Sequence, residues 1–124
     1  MPLTAKIGKN VYRGGTIDGA QCGHLIIGDY VVLGANSKLI FHGPVRPWKH
    51  DRIEIGDFTY VGDSAIILLG TVIGRCSIVG AGSVVCGGTF PPYSTLVGNP
   101  ARSDGRRAAI EILRTWTLKY GTPN

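Results

Sequence analysis

Three histidines and three cysteines carry the most distinctive chemistry in this sequence of 124 residues. Histidine is the residue best suited to moving a proton near neutral pH, and cysteine can serve as nucleophile, metal ligand or disulfide partner. The cysteines, at positions 22, 76 and 86, are odd in number and irregularly spaced, which argues against a disulfide framework or a zinc site. We interpret them as small packing residues in a reducing compartment. His24, His42 and His50 therefore remain the candidates for chemistry.

The basic residues are unevenly distributed. The net charge is +5, and half or more of the lysines and arginines lie after residue 100 or in "RPWKHDR" at 46–52. This pattern suits an anionic small molecule about as well as a nucleic acid, but the aromatic-interleaved basic motifs of RNA-binding folds are absent. No apolar run approaches the roughly 20 residues that span a bilayer, and the first ten residues lack the apolar core of a signal peptide. We expect one soluble, cytoplasmic domain covering residues 1–124, without nucleic-acid or membrane partners.

An aliphatic residue recurs at every sixth position between residues 55 and 85, usually followed by glycine, and the fifth residue of each unit is small. The first positions are Ile55, Val61, Ile67, Ile73, Val79 and Val85, and the fifth positions are Thr59, Ala65, Thr71, Ser77, Ser83 and Thr89. A period of six fits neither a helix nor a strand alone, but it fits a short strand followed by a corner. Three such units make one triangular coil in which the first and fifth residues face inward. Stacked coils of this kind form a parallel β-helix.

The same register extends toward the N-terminus with interruptions. Ile27, Leu33 and Leu39 continue it, and Arg13 begins a weaker unit whose fifth residue is Ile17. Two extra residues fall between positions 19 and 26. A later spacing of ten, between residues 45 and 55, predicts that "RPWKHD" forms a protruding loop. The sequence thus predicts an all-β domain of about four coils over residues 5–102.

The pattern changes after residue 89. Pro91 and Pro92 cannot donate to a strand ladder, so we expect them to close the last coil. The following "GRRAAIEILRTWTLKYG" predicts an α-helix over residues 104–120 that ends at Gly121. We expect this helix to pack on its own coil or on a neighbouring subunit.

The segments "IVGAGSVV" (78–85) and "PPYSTLVGNPAR" (91–102) make the sequence resemble the hexapeptide-repeat acyltransferases, in particular the galactoside, maltose, xenobiotic and sugar O-acetyltransferases. The resemblance covers nearly the whole chain, roughly residues 5–102. It implies a left-handed β-helix, a homotrimer, and acetyl-CoA bound in the groove between adjacent subunits. It also implies that a histidine acts as general base on a hydroxyl or amine of a small acceptor, while a backbone N–H stabilises the oxyanion. No metal is implied.

The resemblance assigns residues to the coenzyme groove by position. Those expected to line it or to meet the coenzyme phosphates are Gly62, Ala65, Gly80, Ala81, Gly82, Ser83, Gly98, Asn99, Arg102 and Arg106. Gly98 and Asn99 are expected to form the closing turn. The glycines also have a purely structural interpretation as turn residues, and Arg102 has one as a solvated surface residue.

Family members carry the catalytic histidine near the loop that follows Leu39. His42 is therefore the first candidate, and His50, at the end of the same loop, is the second. Pro44 occupies a position where many members have histidine, and the loop is shorter than usual. Trp48 and Arg46 are the expected acceptor contacts, and Asp51 or Asp57 could orient a histidine. His24 is interpreted as an ordinary turn residue.

Two alternatives remain open. The γ-type carbonic anhydrases share this fold and bind zinc with three histidines across a trimer interface, but the wide spacing of His24, His42 and His50 does not match their pattern. Left-handed β-helices also serve as non-catalytic assembly modules, because a stack of repeats needs no active site to be stable. Binding of acetyl-CoA distinguishes the acyltransferase from both.

Overall fold

The computed structural model describes residues 3–18, 23–41 and 52–103 of the chain, and these fold as a parallel β-helix with three faces. The first face contains β1 (Leu3–Ile7), β4 (Gly23–Ile27), β7 (Arg52–Ile55), β10 (Thr71–Ile73) and β13 (Gly88–Phe90). The second contains β2 (Tyr12–Arg13), β5 (Val32–Leu33), β8 (Tyr60–Val61), β11 (Ile78–Val79), β14 (Thr95–Gly98) and β15 (Ala101–Ser103). The third contains β3 (Thr16–Asp18), β6 (Lys38–Ile40), β9 (Ile66–Leu68) and β12 (Val84–Val85).

From β1 to β14, each strand pairs in parallel with the neighbouring strands of its face, which lie one coil before or after it. The register sets the coil length, because Ile55 pairs with Ile73, the residue that follows it by three hexads. The preceding coil, from Ile27 to Ile55, is longer because it includes the inserted segment. About four coils are present, as predicted. The predicted loop at 46–51 and the predicted C-terminal helix both lie outside the described residues.

The core includes a column of first-position side chains inside the coil, packed with other buried residues such as Val31, Ile53 and Ala65. All six predicted residues of the regular half are at most 1% exposed, and Ile27, Leu33 and Leu39 continue the column at 1–3%. The full set is Ile27, Leu33, Leu39, Ile55, Val61, Ile67, Ile73, Val79 and Val85. The hexad pattern therefore predicted these core residues correctly, because a first-position side chain that faces inward recurs every six residues.

Two predicted register positions are wrong. Ile17 pairs with Leu39, which is a first position, so Ile17 is not the fifth residue of its unit. Thr89 is exposed and pairs with the outward-facing Val72, because the coil from Ile73 to Phe90 is one residue shorter than three hexads. That contraction places Phe90 in the first position.

The prolines do not end the β-helix. Pro91 and Pro92 form an exposed corner beside Gly74, and β14 then adds a further parallel strand to the second face by pairing with β11. The ladder ends one strand later, where β15 runs antiparallel to β14. The last coil is thus closed by a hairpin. Within the described ranges, no helix is long and apolar enough to cross a membrane.

The first corner, between the first and second faces, is held by carboxylates from the following coil. Asp57 Oδ1 accepts a hydrogen bond from the amide of Asp29 at 2.7 Å, and Asp29 Oδ1 accepts one from the amide of Lys9 at 2.9 Å. The rings of Tyr30 and Phe58 stack at this corner with centroids 5.4 Å apart. The corner residue is left-handed in successive coils, with φ between 56° and 64° at Asn10, Tyr30, Phe58, Cys76 and Tyr93.

Candidate functional site

Four residues predicted to bind the coenzyme lie at the second corner, which we define as the stacked turns 34–36, 62–64 and 80–82 between the second and third faces. They are Gly62, Gly80, Ala81 and Gly82. The turns are fixed by backbone hydrogen bonds between coils. The amide of Gly62 donates to the carbonyl of Val79 at 2.8 Å, and the amide of Gly82 donates to the carbonyl of Asp63 at 2.9 Å. Gly62 and the segment 80–82 therefore lie in one column parallel to the β-helix axis.

Glycine occupies positions 62 and 82 of this corner for two different physical reasons. A Cβ on Gly62 would lie 2.6 Å from the backbone nitrogen of Ala81, so stacking of the coils requires glycine there. Gly82 has φ +69°, and a Cβ there would meet no atom within 4 Å. Gly82 is therefore favoured by its left-handed backbone conformation and not by crowding, and the space in front of it is open.

Two of the predicted groove residues turn their side chains inward. Ala65 is 0% exposed and belongs to the core, and Ser83 is 4% exposed. Both occupy fifth positions, which face the interior of the coil. The Oγ of Ser83 accepts a hydrogen bond from the amide of Gly98 at 3.1 Å. Their side chains therefore support the corner from inside and do not form its outer surface.

The closing hairpin continues the outer surface of the second corner. Gly98 pairs with Ala101 as the last residue of β14, so the turn consists of Asn99 and Pro100 and not of the predicted Gly98 and Asn99. Gly98, with φ +103°, and Asn99 are exposed. Arg102 is exposed on β15, opposite Val97. The hairpin thus adds an exposed arginine to the second face, two strands beyond β11.

The second corner also offers a backbone donor. The amide of Ala35 donates to Asp63 Oδ1 at 3.0 Å. One coil further on, within the described part of the chain, the amide of Ala81 donates to no acceptor, and Ala81 is exposed. An exposed strip of small residues with a free N–H and a flanking arginine is the geometry that the corner presents to a ligand.

Of the three histidines, the structure describes His24 alone. His42, His50, Trp48, Arg46 and Arg106 lie outside the described residues. His24 is exposed on β4 of the first face, where it pairs with Thr4 and Arg52. It is therefore a strand residue and not the turn residue that the sequence predicted. Asp57, proposed to orient a histidine, is engaged at the first corner by the amide of Asp29.

The described residues include no group of three or more histidine, cysteine, aspartate or glutamate side chains that could hold a metal ion. Cys76 is buried and Cys86 is exposed, and both are free thiols. Burial raises the pKa of the Cys76 thiol, an effect that a hydrogen bond with Tyr93 and the charge of Arg75 partly oppose. Neither thiol lies among the residues of the second corner.

Comparison with known proteins agrees with this geometry. A Staphylococcus aureus protein described as a candidate acetyltransferase is 38% identical over 108 residues, covering 78% of this chain and 52% of that protein. The chain thus spans about half the length of the curated relatives it matches. No protein-family model matches the chain.

Solved structures of acetyltransferases share the fold. A hexapeptide-repeat acetyltransferase of Vibrio cholerae, complexed with acetyl coenzyme A, has a TM-score of 0.67 and 26% identity over 83% of this chain and 60% of that one. Soybean serine acetyltransferase complexed with serine has a TM-score of 0.56 and 35% identity over 81% and 40%. These matches confirm the left-handed β-helix.

Proposed function

We propose that this chain, which belongs to the hexapeptide-repeat acyltransferases, transfers an acetyl group from acetyl-CoA to a hydroxyl or amine of a small acceptor. The observation that carries the proposal is the exposed second corner, where Ala81 and Gly82 form an open surface in a fold shared with an acetyl-CoA complex. A long thioester-bearing arm needs such a smooth surface more than it needs a deep pocket.

The proposed coenzyme site runs along the second corner toward the hairpin. The pantetheine arm passes over Ala81 and Gly82, where no side chain obstructs it. The amide of Ala81 is available to a carbonyl of the arm or to the oxyanion. Arg102, joined by Arg106 from the sequence that follows, meets the phosphates. Gly98 and Asn99 shape the end of the groove.

The proposed chemistry is direct acyl transfer. The acceptor hydroxyl or amine gives its proton to a histidine, and its lone pair attacks the thioester carbonyl carbon. The carbon–sulfur bond then breaks, and the histidine returns the proton so that coenzyme A leaves as the thiol. His42 is the proposed base and His50 the second candidate, with Trp48 and Arg46 contacting the acceptor.

We further propose a cytoplasmic homotrimer in which the coenzyme groove is completed by a neighbouring subunit. The predicted loop 46–51, which contains His50 and is bordered by His42, would then approach the second corner of the adjacent chain. This arrangement accounts for a base and a coenzyme surface that belong to different parts of the sequence. Sedimentation equilibrium of the purified protein measures the mass directly, and three chains are expected.

Coenzyme binding tests the proposal first. A ligand that binds only the native state must raise the melting temperature, so saturating acetyl-CoA should raise it by several degrees. An unchanged melting temperature would favour a non-catalytic assembly module instead. His42→Ala should then lower kcat at least about a hundredfold with little change in the melting temperature. His50→Ala is the matched variant, and loss of activity in that variant alone would reassign the base.

A further inference from the structure

A pocket of about 230 Å³ opens on the outer surface of the first face, away from the second corner. Three strands from consecutive coils form it. Thr4, His24 and Arg52 are register partners on β1, β4 and β7. On β4 and β7, His24 and Arg52 alternate with the buried residues that face the core. Lys6 and Ile26 continue the lining two residues further along β1 and β4. Leu25 completes it.

The polar lining is predominantly cationic and donor-rich. Lys6, Arg52 and the imidazole of His24 surround the space with the hydroxyl of Thr4. The carboxylate of Glu54 is paired with Arg52 at 3.6 Å, and both side chains are partly exposed. An ion pair between exposed side chains contributes little, so a ligand anion can compete for the guanidinium. Arg52 can bind a carboxylate or phosphate through two parallel hydrogen bonds.

The size of the pocket limits the ligand. Its volume lies below the roughly 300–1,000 Å³ of pockets that enclose drug-sized ligands. It therefore suits a small molecule or a single acidic group better than a nucleotide-bearing coenzyme. The exposed Ile26, at 39%, provides an apolar surface beside the charges for a short carbon chain.

We propose that this pocket binds the acidic group, carboxylate or phosphate, of the small acceptor. The identification of the ligand as the acceptor rests on the proposed acetyl transfer, whereas the anion site itself rests on the pocket alone. Arg52 follows directly in sequence on the predicted loop 46–51, which contains His50 and is bordered by His42, so an acceptor anchored there is held near both candidate bases in the sequence. The site would then select acidic hydroxy or amino compounds over neutral ones.

Binding to the purified full-length chain tests the anion site without any reaction. The probes are 3-hydroxypropanoate, inorganic phosphate, the neutral 3-hydroxypropanamide, and adenosine 3′,5′-bisphosphate as the coenzyme fragment. Saturable shifts of the His24 ring and Arg52 side-chain NMR signals are expected with the first two and not with the amide. A carboxylate or phosphate preference identifies the acidic group. Strongest binding of the bisphosphate at these residues would overturn the acceptor assignment in favour of the coenzyme.

Three variants make the test specific. Arg52→Gln should weaken binding of the acidic probe at least tenfold. Glu54→Gln breaks the same ion pair but keeps the cation, so binding should be unchanged or tighter. Lys38→Gln removes an exposed charge on the third face and should leave binding unchanged. Equal weakening by Lys38→Gln and Arg52→Gln would show a general charge effect and overturn the site.

Steady-state kinetics separates the two proposals. If both hold, Arg52→Gln raises KM for an acidic acceptor at least tenfold and leaves KM for acetyl-CoA unchanged. Transfer to neutral and acidic acceptors with equal efficiency, unaffected by Arg52→Gln, would overturn the pocket assignment while the acetyltransferase stands. Binding of the acidic probe without coenzyme binding or transfer would retain the anion site and overturn its identification as an acceptor site.

Discussion

The backbone amide of Ser94 donates a hydrogen bond to the Oγ of Ser77, one coil earlier, at 3.1 Å. The same hydroxyl donates to the carbonyl of Gly74 at 2.7 Å. Ser77 is 0% exposed and occupies a fifth position of the hexad. The small fifth residue therefore does more than fit a narrow interior, because its hydroxyl satisfies backbone groups at the corner of two successive coils.

Replacing Ser77 by alanine should destabilise the fold. The change leaves the amide of Ser94 buried without its partner, which costs about 1–3 kcal/mol. Urea unfolding of the variant should show a lower midpoint with an unchanged slope. Ser103→Ala, at an exposed position, is the control and should unfold like the parent chain. Equal stability of Ser77→Ala and the parent would mean that water replaces the hydroxyl.

Asparagine at position 82 should separate folding from coenzyme binding. Asn36 and Ser64 occupy the equivalent corner position in earlier coils with φ of 60° and 59°, so the corner accepts a side chain there. Because the space in front of Gly82 is open, Gly82→Asn should leave the melting temperature nearly unchanged. If the coenzyme arm crosses this surface, KM for acetyl-CoA should rise about tenfold, or about 1.4 kcal/mol. An unchanged KM would place the arm elsewhere.

The two described thiols should differ in reactivity. Burial raises the pKa of the Cys76 thiol. A smaller fraction of Cys76 is therefore present as the reactive thiolate than for a thiol whose pKa is not raised. Iodoacetamide at pH 8 should modify the exposed Cys86 at least tenfold faster than Cys76. Peptide mapping by mass spectrometry resolves the sites separately. In about 6 M guanidinium chloride the two rates should converge, because the difference arises from burial in the folded state.

Much of the fold was predictable because coil stacking converts a local repeat into a long-range register. The buried column that includes Ile55, Val61 and Ile67 follows from spacing alone. The register failed at Ile17 and at Thr89, where the coil length departs from three hexads. Nothing in the aliphatic spacing marks the shortened coil that ends at Phe90, since the glycines at 87 and 88 are compatible with either register.

The candidate site was predictable only in part. Ala65 and Ser83 are fifth positions of the hexad, which face inward, and both are buried. The hexad pattern thus already contradicted their prediction as residues of an outer groove. The pairing of His24 with Arg52 was not predictable. These residues lie in successive coils, and their alignment depends on how many residues the inserted loop adds between them. Sequence spacing fixes such contacts only where the coil length is regular.

The hexad register itself is tested by a charge at its centre. Val79 is 0% exposed in the first-position column, and an aspartate there would bring an unpaired carboxylate into the dry core. Burial of an uncompensated charge costs more than the ~5–15 kcal/mol by which domains are stable, unless the group stays protonated. Val79→Asp should therefore give little soluble protein and no cooperative thermal transition by circular dichroism.

Val97→Asp provides the matched control, because Val97 lies on the same face and is 39% exposed. Its carboxylate stays in contact with water and faces Arg102 across the hairpin, so the variant should fold and melt within a few degrees of the parent. A cooperative, soluble Val79→Asp protein would contradict the inward orientation of the first hexad position. The alternation between inward and outward residues predicts opposite outcomes for the two positions. Loss of folding in both variants would contradict it and would show that the whole second face tolerates no charge.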